Sequence, residues 1–153
     1  MKYLLRTKSL LLAVSLGVIA LVSSPQSDAG EKRVDDYIIH YNAFNSSFIQ
    51  PETAVQYKVQ RSKYTGLLNV SVHKVVEQGK DKALKVAMRG RATNNLSQLQ
   101  ELGFKEVIEG DAVYYLADFQ FRDEENMDLE FTINIPGYER PVSINLSQKF
   151  YAD

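Results

Sequence analysis

Residues 127–135 read MDLEFTINI, and this stretch decides the fold. Met127, Leu129, Phe131, Ile133 and Ile135 alternate with Asp128, Glu130, Thr132 and Asn134, a period of two that belongs to a strand. Successive strand side chains point to opposite faces, so this segment has one apolar and one polar face. A strand built that way must bury its apolar face against a second layer.

The same period recurs on either side. Downstream, Pro136 and Gly137 stop the run, and Val142, Ile144 and Leu146 then alternate with Ser143, Asn145 and Ser147. Upstream, residues 122–126 (RDEEN) form an acidic turn, preceded by a hairpin of 104–109 and 112–121 around Gly110 and Asp111. Val113, Tyr115, Ala117, Phe119 and Phe121 share one side of it. Residues 94–102 lack the alternation and read as a long loop with room for one helical turn. Leu68, Val70 and Val72, then Leu84, Val86 and Met88 after a turn at 78–81, predict another hairpin with one buried face. Residues 33–45 (RVDDYIIHYNAFN) predict a strand covered on both sides, because neither face is plainly polar. Within 46–57, Pro51 suits a first helical position and Glu52 a first turn, which predicts one short helix. Residues 58–65 read as a polar, basic connection or a ragged edge strand.

Seven or eight antiparallel strands and one short helix predict an all-β, two-sheet sandwich of immunoglobulin-like type, with a small closed β-barrel as the alternative. A barrel in the outer membrane needs strands of about 9–11 residues, and several here are shorter.

The N-terminal residues are of another kind. Lys2, Arg6 and Lys8 precede an apolar run at 10–22 broken only by Ser15 and Gly17, and a turn-prone stretch around Pro25 follows. That order predicts a signal peptide over 1–29, with small residues Ser27 and Ala29 placing cleavage between Ala29 and Gly30. The run is short of the roughly 20 residues that span a bilayer. The expected product is a single β-sandwich domain, residues 30–153, released into the periplasm. Losing three basic residues and Asp28 takes the net charge from −1 to about −3. A mildly acidic, mixed surface argues against nucleic acid or an anionic membrane as partner.

There is no cysteine, so thiol nucleophiles, disulfides and Cys-type zinc sites are excluded. The two histidines, His40 and His73, sit on separate predicted strands without H-x-H or H-E-x-x-H spacing. Zinc needs three or four converging ligands, so each histidine reads as an ordinary strand residue. The acids at 35–36 and 123–125 fall in turns, and 123–128 lacks the spacing of a calcium loop. No G-x-S-x-G elbow, P-loop or dinucleotide glycine pattern occurs. The sequence therefore predicts no catalytic residue, no metal and no cofactor. What remains is a set of contact candidates: His40, Asn42, Phe44, Asn45, Phe48, Arg61, Lys63, Tyr64 and Tyr114. The cations suit an anionic group, and aromatics not needed in the core suit a partner surface.

The segments 40–48 (HYNAFNSSF), 50–52 (QPE), 61–63 (RSK), 66–72 (GLLNVSV), 110–115 (GDAVYY) and 148–151 (QKFY) resemble DUF4426, a family of exported proteins of Gram-negative bacteria with no known function. The resemblance spans nearly all of 30–153. It implies a periplasmic address and one β domain, and it carries over no activity, cofactor or catalytic residue. The first expectation is a non-enzymatic periplasmic binding or protein-interaction module, contacting its partner through 40–48 and the basic loop 61–64. The alternative is a carrier of a small apolar ligand or lipid in a cavity between the sheets, with His40, Asn42 and Tyr114 as its polar groups.

Overall fold

A computed structural model describes residues 29–77 and 79–152; the expected signal peptide, 1–29, lies outside the described residues except for Ala29. The described residues form ten strands: β1 (Gly30–Val34), β2 (Tyr37–Asn45), β3 (Thr65–Glu77), β4 (Lys80–Ala83), β5 (Ala87–Asn94), β6 (Leu99–Leu102), β7 (Lys105–Glu109), β8 (Ala112–Gln120), β9 (Glu125–Asn134) and β10 (Val142–Phe150). One sheet runs β1-β2-β3-β8-β7, with β4 also paired to β3; the other runs β10-β9-β5-β6. Every pair is antiparallel. Both sheets keep free edges, so this is a sandwich and not a closed barrel.

The alternation in 127–135 does what its pattern requires. Met127, Leu129, Phe131, Ile133 and Ile135 are all buried, alongside Val142, Ile144 and Leu146 from β10 and Ala92 from β5 on the inner face of one sheet. The other sheet contributes Ile39, Ala43, Leu68, Val70, Val72, Tyr115, Ala117 and Phe119. Phe150 packs edge-on to Phe119 and tilted against Phe121, with centroids 5.2 and 5.1 Å away. Burying a large apolar side chain contributes about 1.5–3 kcal/mol, and with no disulfide this core carries the stability.

Three local expectations need correction. Residues 33–45 are two strands, because Asp35 turns at φ 48°, a conformation Asp tolerates. The predicted hairpin after β3 is only β4; residues 84–86 then leave the sheet, and β5 pairs with β9 in the other layer. Alternation specifies which face is buried and says nothing of which strand lies alongside. The long loop expected at 94–102 contains β6: Asn94 Oδ1 accepts from the backbone N–H groups of Leu96 (3.1 Å) and Gln98 (2.9 Å), turning the chain back on β5. The strand count is therefore ten, above the seven or eight expected. The predicted helix is present as α1 (Pro51–Tyr57), with Pro51 in its first turn and a 3-10 turn at Ser46–Phe48 before it. No helix among the described residues is long and apolar enough to cross a membrane.

Candidate functional site

One end of the sandwich gathers the C-termini of β2, β5, β8 and β10 and the N-termini of β3, β6 and β9. Polar ties hold these strand ends together. Asn45, buried at the end of β2, donates from Nδ2 to the Tyr151 carbonyl at 2.7 Å. Buried Ser46 donates from Oγ to the Ser62 carbonyl and accepts from the Ser62 N–H at 2.9 Å. Arg61 donates to the Ser47 carbonyl at 2.9 Å, and the Phe121 N–H donates to the Tyr64 carbonyl at 3.0 Å. Buried Glu125 accepts from Asn94 Nδ2 (2.8 Å) and from the Arg122 N–H (2.7 Å). Gln100 of β6 bridges the sheets: its side-chain amide donates to the Gln120 carbonyl and accepts from the Gln120 N–H, at 2.7 and 2.8 Å.

On this rigid base stand large apolar side chains that the core does not take up. Phe48 is 59% exposed and Tyr64 45% exposed, and Leu96, Leu99 and Tyr151 are comparably open. Val55 on α1 is more exposed still. Cations cover two of the rings: Lys63 Nζ lies 5.0 Å from the Tyr64 centroid and Lys149 Nζ 5.2 Å from that of Tyr151. Ser97 and Glu124 adopt positive φ at this end. The opposite end shows Val76 and Ile108 on β3 and β7.

The contact candidates divide accordingly. Phe48, Arg61, Lys63 and Tyr64 come together at this end. Asn45 lies beneath them, buried, with its side-chain amide donating to the Tyr151 carbonyl. Phe44 is half-buried on the outer face of β2, opposite Leu67. His40 and Asn42 lie farther along that face. Tyr114 sits on β8 next to the last position that pairs with β3, Tyr115↔Val70, away from the end. The sequence reading missed Leu96, Leu99 and Tyr151. Their signal was available only as apolar residues in segments without strand alternation. His73, read from the sequence as an ordinary strand residue, is set by the fold 5.6 Å from His40, centroid to centroid. Burial first, then the neighbouring His40, hold the His73 pKa below the usual 6.5, with Asp81 opposing. No group of three or more His, Cys, Asp or Glu among the described residues is placed to hold a metal.

Solved structures share this architecture. A protein from Pseudomonas aeruginosa PAO1, solved as a DUF4426 family protein, is 30% identical with a TM-score of 0.68, over 82% of this chain and 96% of that one. FetP from uropathogenic Escherichia coli strain F11 is 14% identical with a TM-score of 0.56, over 82% and 95% of the two chains. A copper-bound variant of FetP is 15% identical with a TM-score of 0.58, over 82% and 97%. At such identity FetP is a likeness of fold alone. No curated protein matches the sequence. The family model described as a domain of unknown function, DUF4426, matches residues 31–153, and the chain belongs to that family.

Proposed function

We propose that this protein is a non-enzymatic interaction module of the periplasm that binds a protein partner through the end of the sandwich carrying Phe48, Tyr64 and Tyr151. The observation that supports the reading is the exposure of several large apolar side chains on a base fixed by buried hydrogen bonds. Scattered surface apolar residues are ordinary, but a set gathered on one rigid surface is characteristic of contact sites. Rigid aromatic anchors lose little conformational entropy on binding, and Tyr and Arg are enriched among residues that dominate interface energies. Arg61, Lys63 and Lys149 suit a partner segment whose apolar residues are flanked by carboxylates. The space between the sheets is filled by Phe119, Phe131, Phe150 and Met127, all essentially inaccessible, so the carrier alternative draws no support from the core.

The test is native mass spectrometry of the protein purified gently from its own cells, beside a Phe48→Ala/Tyr64→Ala variant. The reading expects a complex with one protein of fixed stoichiometry, depleted in the variant. A wild-type protein that is always a bare monomer, or a complex indifferent to the substitutions, contradicts it.

A further inference from the structure

The outer face of the first sheet carries a second arrangement, remote from that end. His40 of β2 is paired with Ser71, and His73 of β3 with Ile38, so the histidines are diagonal neighbours across one strand pair. Their rings meet edge to face at 76°, centroids 5.6 Å apart. Each Nδ1 faces a carboxylate from a different strand: His40 Nδ1 is 3.5 Å from Glu31 Oε2 on β1, and His73 Nδ1 is 3.9 Å from Asp81 Oδ2 on β4. β1 flanks β2 on the side away from β3, and β4 flanks β3 on the side away from β2. The carboxylates therefore bracket the pair from outside, leaving Nε2 of each ring as the nitrogen without a carboxylate beside it. Glu31 also accepts from Arg33 Nε at 2.7 Å, which holds its carboxylate beside His40.

A carboxylate near Nδ1 of each ring, at 3.5 and 3.9 Å, is the placement from which metal-binding histidines are supported. An imidazole that ligates through one nitrogen commonly presents the other to a carboxylate, which fixes the tautomer and raises ligand basicity. Nitrogens bound at about 2.0–2.1 Å to one ion lie no more than about 4 Å apart, a separation that rings at the observed spacing can reach. We propose that His40 and His73 together bind one divalent transition-metal ion through Nε2, with Glu31 and Asp81 as positioning residues. Because no third protein ligand converges among the described residues, water or a partner molecule completes the coordination. The site is thus open and exchangeable, unlike a closed structural one.

The experiment is titration of the untagged protein with Cu²⁺, Zn²⁺ and Mg²⁺ by calorimetry, with electron paramagnetic resonance of the copper form. One Cu²⁺ per chain is expected, with histidine-nitrogen coupling in the spectrum. Zn²⁺ should bind more weakly and Mg²⁺ not at all, following ligand preference. His40→Asn and His73→Asn should each remove the binding, while Glu31→Gln and Asp81→Asn should weaken it by about 10-fold or more. Thermal melting of each variant checks its fold; His40 is well exposed, so His40→Asn provides the test if His73→Asn is unstable. Failure of the intact protein to bind Cu²⁺, or unchanged binding by the His40→Asn/His73→Asn variant, overturns the proposal.

Discussion

Gly90 lies opposite Phe131 in the β5–β9 pair, and a Cβ there would fall 2.6 Å from the Glu130 carbonyl oxygen and 2.7 Å from Phe131 Cβ. Backbone cannot yield as a side-chain tip can, so Gly90→Ala should cost about 1–3 kcal/mol in urea unfolding. Phe131→Ala removes a ring that meets Tyr41 and Phe104 at 5.8 and 6.4 Å, and should cost about 3–5 kcal/mol. Which residues face the core was legible wherever the period of two was clean, as at Phe131 and Val70. The nearness of His40 and His73 was not. It depends on the β2–β3 register, and those strands are joined through a 3-10 turn, α1 and a loop. Nothing local in the sequence sets a register across such a connection.

At the scale of elements, the turns at 94–98 and 122–125 are joined by Glu125, whose removal would leave Asn94 Nδ2 and the Arg122 N–H short of an acceptor. Glu125→Ala should therefore destabilise by about 1–3 kcal/mol, measured as a shifted urea midpoint with unchanged slope. The β2–β3–β4 face should also be pH-sensitive. His73 binds a proton less readily folded than unfolded, so between its folded value and the ordinary 6.5 the unfolded chain holds more protons. Stability then falls as pH drops through that window and recovers as pH rises. Melting curves across the window should show this slope in the wild type and a flatter one in His73→Asn. β9, β10 and α1 were legible because alternation and Pro51 are local signals. The β4–β5 departure and β6 were not, since a crossover between sheets and a turn made by Asn94 depend on the opposing layer.

The whole molecule is a sandwich whose sheets are tied at both margins, by Gln100 to Gln120 on one side and by Lys32 Nζ to the Ser143 carbonyl at 2.8 Å on the other. Such a frame can hold an exposed end in fixed geometry without that end contributing to stability. Phe48→Ala and Tyr64→Ala should accordingly leave stability within about 0.5 kcal/mol of wild type. In partner binding the same changes should cost about 2 kcal/mol or more if these rings anchor the contact. Site-specific photocrosslinking in living cells shows whether this end is the working surface. A photoreactive residue at position 48 or 64 should give one defined protein adduct, and the same residue at position 108, on the opposite end, should give none. No adduct from 48 and 64, or equal adducts from both ends, would contradict the claim.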